Sequence, residues 1–254
     1  KAHAEAQARY DLADVAATAR RDGAGFVLDG AKTVVAGAPW ADCLIVSART
    51  GGDGNDPRGI SLFLVDRDTP GLSVRDYALW DGGRAAEVLL EGVRVGADAL
   101  LGPEGGGLDL VEAAADRAIA ALCAEAVGCM AVLNEDTGEY CRTRKQFGAP
   151  IGSFQAVQHR LVDMYIAQEQ SLSLTYLATL KLDAPAAERR KAVSAAKVQV
   201  GQAGRFVGQQ AVQLHGGMGM TEELRVGHYF RRLAAIDALF GDVDHHLRRF
   251  AAAA

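Results

Sequence analysis

The sequence lacks the spacings that hold metals or staple small secreted domains. Its four cysteines, Cys43, Cys123, Cys129 and Cys141, form no C-x-x-C pair and have no flanking histidine. That argues against a zinc site and a disulfide framework, and unpaired thiols fit a reducing cytoplasm. No apolar run approaches the ~20 residues that span a bilayer, and no secretory leader is visible, so no membrane role is expected. Excess positive charge is missing too. Lys and Arg number 11 against 16 Asp and Glu up to residue 107, and 16 against 16 beyond it, which places the whole net charge of −5 in the first part. Neither part is basic enough to suggest nucleic acid as a partner. The chain opens on Lys1 rather than Met and reads as a fragment of a longer protein.

What is present is a chain of 254 residues, 49% hydrophobic, with ample material for real cores. Its composition shifts near Gly107, from Val, Leu, Asp and turn glycines to Ala, Leu and Gln. Two domains are expected, 1–107 and 108–254. In the first, Gly25 to Leu28 runs into Asp29-Gly30 and returns through Ala31 to Val35, the pattern of a tight hairpin. Leu44 to Ala48, Ile60 to Val65, Leu72 to Tyr77 and Ala86 to Val95 read as further strands of an antiparallel β-barrel or sandwich. Pro103 to Gly107 is the break before the period lengthens to that of a helix. One stripe then runs through Ile119, Leu122, Ala126, Cys129, Leu133 and Tyr140, and another through Val157, Leu161, Met164, Leu172 and Tyr176. A third helix runs to Gln213 and carries Val193, Ala196, Val200, Ala203, Val207 and Ala211, a stripe that continues to Leu214 just beyond it. Three helices of roughly 25–30 residues with short connections predict an antiparallel bundle. A shorter helix capped by Thr221, with Glu222 and Glu223 in its first turn, and an amphipathic stretch from Leu233 to Phe250 complete it.

Two polar stretches stand out. Gln213-Leu214-His215-Gly216-Gly217-Met218-Gly219-Met220 stops the third helix in glycines. It reads either as a C-cap or as a loop whose free peptide N–H groups face an anion or carbonyl. Arg142-Thr143-Arg144-Lys145-Gln146-Phe147-Gly148, followed by Phe154-Gln155, joins cations, an amide and an aromatic. It reads either as a solvated basic turn or as a seat for a pyrophosphate beside a ring.

Taken together and in order, these stretches resemble the C-terminal bundle of the acyl-CoA dehydrogenase family, with Glu223 and Arg231 following. Glu5 to Asp11, the Gly25 to Gly37 segment, Ile60 to Asp66 and Thr69-Pro70-Gly71 resemble that family's middle β domain. Within the family, the segments from Glu5 to Val15 and from Phe240 to His246 are most similar to the small subunit of pimeloyl-CoA dehydrogenase. The resemblance implies an α+β multidomain fold: a β-barrel or sandwich domain, then a four-helix bundle, with the family's N-terminal helical domain absent from this chain. It implies FAD, an acyl-CoA substrate, a homo- or hetero-oligomer formed through the helical domain, and an electron-transfer flavoprotein as acceptor. It places Arg144, Gln146 and Phe147 on the adenosine pyrophosphate of FAD bound mainly by a neighbouring subunit, with Gln213, Gly216 and Gly217 closing the same site. It also lets the backbone N–H of Ala36 bond to the flavin ring.

The chain departs from the family where chemistry is expected. The usual Tyr-Glu-Gly triplet, which supplies the base that takes the α-proton, matches Leu239-Phe240-Gly241. The alternate position of the base matches Ala118. Neither Phe240 nor Ala118 can accept a proton. Asp116 is a weak candidate two residues away, and Asp242, His215, His245 and His246 are other titratable groups nearby in sequence. Arg9 and Tyr10 replace small residues where an acyl entrance is expected, and Val34 and Ala36 replace an aromatic wall and a hydroxyl donor. The expectation is therefore an FAD-dependent acyl-CoA dehydrogenase subunit that oxidises a thioester to a 2-enoyl-CoA beside a homologous subunit supplying the Glu. The alternatives are a non-catalytic scaffold subunit and, further off, a flavin oxygenase on the same fold.

Overall fold

The computed structural model describes residues 2–253 and divides into two compact units, Lys1–Ala114 and Ala115–Ala254. The first holds β1 (Thr18–Asp22), β2 (Gly25–Ala36), β3 (Cys43–Arg49), β4 (Ile60–Asp66), β5 (Leu72–Ala78), β6 (Arg84–Val95) and β7 (Leu100–Leu101). They form one sheet of order β5-β6-β2-β1-β3-β4-β7, antiparallel except where β1 meets β3. Alternate residues of β2, β3, β4 and β6 point to one core, where Phe26 meets Phe63 edge-on at 5.0 Å and Leu28, Val46, Val88 and Leu90 surround them. Each such side chain contributes about 1.5–3 kcal/mol when fully buried.

The hairpin turn lies elsewhere than Asp29-Gly30. β2 runs straight through those residues, and the chain reverses instead at Gly23-Ala24, directly after Asp22, pairing β1 with β2 from Asp22↔Gly25 to Thr18↔Asp29. Asp29 accepts the Gly92 N–H at 2.7 Å, and Gly30 takes φ +145° against Ala17, at a register shift between β2 and β6. A bulge has taken the place of a turn.

Two polar knots brace this unit. Glu5 accepts from Lys32 Nζ at 2.5 Å, from the backbone N–H groups of Ala16 and Ala17 at 2.7 and 3.1 Å, and from Gln7 Nε2 at 2.8 Å. Arg49 donates to the carbonyls of Ala13, Val15, Gly54 and Asp56, pinning the loop that follows β3.

In the second unit the elements are α1 (Gly107–Thr143), whose first residues belong to the first unit, β8 (Lys145–Gln146), β9 (Ala149–Pro150), α2 (Gln155–Leu180), α3 (Ala186–His215), α4 (Arg225–Ala238) and α5 (Val243–Ala252). The α3 stripe is buried as its spacing predicts, from Val193 through Ala211, with Leu214 packed at its edge. Ile119, Met130 and Leu133 of α1, Met164 of α2 and Leu233 and Ile236 of α4 close around it. α1 is long and apolar enough by composition to cross a bilayer, contrary to the expectation from run length; core helices share that property, and Ile119, Ala126, Met130 and Leu133 of α1 lie in this core.

Two boundaries and one burial differ from expectation. Thr221 caps nothing, because its hydroxyl donates to Met218 O at 3.0 Å and α4 starts only at Arg225. The last amphipathic stretch is broken at Leu239–Asp242, where Asp242 caps α5 by accepting the His245 N–H at 2.8 Å. Tyr176, read as part of the α2 core stripe, is exposed.

Candidate functional site

The two glycine- and cation-rich stretches sit at neighbouring ends of the bundle. Tyr140, on the last turn of α1, stacks on His215 at the end of α3 with ring centroids 4.4 Å apart, and its hydroxyl reaches His215 O at 3.3 Å. His215 is buried and its Nδ1 donates to Ala211 O at 2.8 Å. Beyond it Gly216 turns left-handed at φ +59°, and a 3-10 turn carries Gly216–Met220. Gly219 lies against α3, where a Cβ would meet Val212 O at 2.7 Å. The turn is therefore seated on its own helix, and Gln213, Gly216 and Gly217 remain exposed.

At the α1 end, β8 and β9 make a two-residue-deep hairpin, Lys145↔Pro150 and Gln146↔Ala149, tied back by Ile151 N–H to Arg144 O at 2.8 Å. Its tip holds Phe147 at φ +55° and 95% exposed, with Phe154 edge-on at 6.3 Å. Arg144 and Gln146 are exposed, and among the described residues no carboxylate pairs with Arg144. An aromatic in open water in a left-handed conformation costs free energy on both counts. Between the two ends lies an open cleft of about 490 Å³, lined by Tyr140, Thr143, His215 and the ion pair of Asp136 with Arg225. Arg225 holds the Asp136 carboxyl below its usual range.

The second place of interest is the corner between α4 and α5. Phe240 takes φ +58° and is 41% exposed. Its peptide neighbourhood is held from inside by groups the sequence reading did not find. Lys197 of α3, 0% exposed, donates to Asp237 O at 2.9 Å and Gly241 O at 2.7 Å. His246 of α5, 0% exposed, reaches Phe240 O through Nε2 at 3.1 Å and Ser194 Oγ through Nδ1 at 3.2 Å. Burial, aided by the Lys197, His245 and Arg249 charges, pushes His246 down to about 3. Burial also lowers His245 and Lys197. The signal for Lys197 was legible: it falls on the buried α3 stripe, four residues after Val193 and three before Val200.

Asp116, the candidate base, is 0% exposed and clamped between Arg189 Nε at 2.9 Å and Arg249 Nη2 at 2.6 Å. Both oxygens are engaged, as befits a tie between α1, α3 and α5. Ala118 is half-buried two residues further on in α1. Asp242 is committed to its cap and Glu222 to Arg231 at 2.8 Å.

In the first unit, Ala36 is the exposed last residue of β2, opposite Ala85 of β6. Two residues earlier Val34, a β-branched side chain, stands at φ +49° and half exposed at a second register shift between Lys32 and Val35. Its backbone bonds to Tyr77, whose hydroxyl donates to Glu87 at 2.9 Å. Arg9 is a further left-handed residue, at φ +48° in the exposed turn after Glu5. Val34 and Arg9 are thus strained at two of the segments where the chain departs from the family pattern.

Comparison with known proteins places these features. Residues 105–254 match the acyl-CoA dehydrogenase C-terminal domain and residues 1–91 the middle domain. The chain is 30% identical over 235 residues to a 3-(aryl)acrylate reductase of Clostridium sporogenes, covering 91% of this chain and 62% of that protein. It is 32% identical over 224 residues to the mitochondrial short-chain specific acyl-CoA dehydrogenase of Bos taurus, covering 87% of this chain and 54% of that protein. A solved FAD complex of PigA superposes with a TM-score of 0.92 at 29% identity, over 99% of this chain and 66% of that one. The chain thus spans little more than half the length of the curated relatives it matches.

Proposed function

The chain belongs to the acyl-CoA dehydrogenase family, and from that premise we propose that it is part of an FAD-dependent acyl-CoA dehydrogenase subunit that works beside a homologous subunit carrying the base. The observation that carries this reading is the α4–α5 corner. It presents a phenyl ring, while the candidates Asp116, Asp242 and His246 are all committed to structural bonds.

The cofactor end fits the group the family uses. Arg144 lacks a carboxylate partner among the described residues, Gln146 donates only to its neighbour's carbonyl at 2.9 Å, and Phe147 stands in water. Gly216 and Gly217 face open space where a Cβ would stand. These side chains suit a pyrophosphate met by guanidinium, amide and peptide N–H groups, with an adenine laid on Phe147. The backbone of Ala36 is assigned separately to the flavin ring. FAD, when bound, supplies a hydride acceptor for oxidation of a Cα–Cβ bond. What this chain's residues do is bind, orient and exclude water: Phe240 offers an apolar wall, Arg144 offsets phosphate charge, and the Gln146 amide donates a hydrogen bond to a phosphate oxygen. The α-proton must leave to a carboxylate from another chain.

Support for an oligomer comes from α2. Its inner face carries Met164, Ser171, Thr175 and Ala178, while Val162, Tyr165, Ile166, Tyr176, Leu177 and Leu180 are exposed on the other side. A helix apolar on both faces fits burial on both. We assign that outer face to a second subunit of the same fold, an electron-transfer flavoprotein to the role of acceptor by family, and the reducing cytoplasm to the four free thiols. The likeness of Glu5 to Val15 and Phe240 to His246 to the pimeloyl-CoA type makes a dicarboxylyl thioester the substrate to try first.

The test is the visible flavin spectrum of the intact protein, purified alone and co-expressed with a homologous base-bearing subunit, before and after adding an acyl-CoA. Flavin that bleaches only in the pair supports the reading. Bleaching by the protein alone refutes dependence on a partner, and a pair whose flavin bleaches equally without this chain's Arg144 and Phe147 leaves it a scaffold.

A further inference from the structure

The bonds around the α4–α5 corner form a chain whose polarity is fixed from one end to the other. The carbonyl of Phe240 only accepts, so the His246 Nε2 beside it at 3.1 Å carries the proton. The ring is held neutral by burial, which leaves Nδ1 an acceptor, and the Ser194 hydroxyl 3.2 Å away must donate to it. With its only proton used, Ser194 Oγ accepts from Arg249 Nη1 at 3.4 Å. The same guanidinium donates through Nη2 to Asp116 Oδ1 at 2.6 Å, and the other carboxylate oxygen takes Arg189 at 2.9 Å. Five residues from α1, α3, α5 and the corner thus form one directed series. Lys197 holds the carbonyls of Asp237 and Gly241, and the carbonyl of Phe240 itself is reached by His246.

We propose that Asp116 is a positioning residue that, through Arg249, Ser194 and His246, holds the Phe240 carbonyl and hence the exposed Phe240 ring in its left-handed conformation. A bulky L-residue there is strained and persists only where surrounding bonds over-determine it. The relay provides that excess: turning the Phe240 peptide would strip the His246 N–H of its acceptor inside the protein. What the fixed ring does for a thioester rests on the acyl-CoA reading above; the relay itself does not. A residue far from Phe240 in sequence, with no contact to it, thereby sets the shape of the surface that a ligand meets.

The test uses the intact protein with 15N-labelled histidine and 13C-carbonyl-labelled phenylalanine. In the wild type His246 shows one tautomer, with a pyrrole-type Nε2 and an acceptor Nδ1, and a hydrogen-bonded Phe240 carbonyl. Ser194→Ala removes the link with little change of volume; loss of the single tautomer and a shifted Phe240 carbonyl are expected while the protein stays folded. Asp116→Asn produces the same two changes, and Asp116→Glu restores the wild-type pattern. An unchanged Phe240 carbonyl in Ser194→Ala overturns the proposal, even if Asp116→Asn fails to fold. Folded Asp116→Asn with wild-type signals overturns it equally. Because neither readout involves an acyl-CoA or flavin, failure here is distinct from failure of the functional reading.

Discussion

Replacing Glu5 by Gln removes one charge from the buried pair in the β unit and leaves the other. Lys32 is 0% exposed, and its ammonium would keep only Ser47 Oγ at 3.1 Å and His3 O at 3.4 Å. Each oxygen of Glu5 accepts two donors: Oε2 takes Ala16 N–H and Gln7, Oε1 takes Ala17 N–H and Lys32. Whichever way the Gln amide is turned, its NH2 faces donors. Breaking a buried pair from one side costs about 3–5 kcal/mol, and that is the loss expected in urea unfolding monitored at pH 7. At roughly 4 °C per kcal/mol for a domain of this size, the melting temperature of the β unit falls by about 12–20 °C. Lys32→Met in the Glu5→Gln background recovers about half or more of the loss, since no unpaired charge then remains. The sign of the pH dependence follows. Burial pushes the Glu5 carboxyl up, but Lys32 and the hydrogen bonds from Gln7 and Ala16 outweigh it and hold it below its ordinary 4.5. The unfolded chain therefore binds the extra proton, and this contribution is full above pH 4.5 and lost as pH falls below it. A Glu5→Gln variant within 1 kcal/mol of wild type would refute the reasoning.

His246 gives a second pH-dependent term: lowered to about 3 from an ordinary 6.5, it costs stability as pH falls through that window, and between pH 7 and 4.5 His246→Gln should lose about 2–3 kcal/mol less than wild type in urea titrations. Phe147→Ala, at a ring 95% exposed, should change stability by less than about 0.5 kcal/mol yet lower flavin retention of the assembled enzyme about tenfold or more, read by absorbance after gel filtration. Of the four thiols only Cys43 is exposed, and burial pushes Cys123 up to about 12; a thiol reagent at pH 8 should titrate one cysteine natively and four in denaturant.

The parts of this fold legible in the sequence were those with an uninterrupted period. β4 appears where a short β-rich run put it, and the α3 stripe where three-four spacing put it. The hairpin was misplaced because Asp22-Gly23 and Asp29-Gly30 look alike as dipeptides, and only the partner Gly92 for Asp29 and the nearness of Ala17 to Gly30 turn the second into a bulge. Thr221 failed as a cap for a similar reason, since its hydroxyl was taken by a carbonyl within its own turn. At the site, the exposed Phe147 tip and the glycine turn stand out as composition alone suggested. Burial of Lys197 could be read from its place on the α3 stripe, but its partners could not, nor could the pairing of His246 with Ser194, because these contacts lie 40 to 52 residues apart and no local pattern encodes them. Asp116 was visible as a carboxylate but not as the anion between two arginines, each more than 70 residues away.

The most direct test of the central claim, that this chain offers no base of its own, is α-proton exchange. An acyl-CoA is incubated in D2O with the intact protein alone, its Phe240→Glu variant, and the co-expressed pair, and deuterium at the α-carbon is followed by mass spectrometry. The account predicts no exchange above the solvent background for the protein alone, and exchange in the pair and in Phe240→Glu. Exchange by the unmodified protein alone, at a rate comparable with the pair, would contradict it.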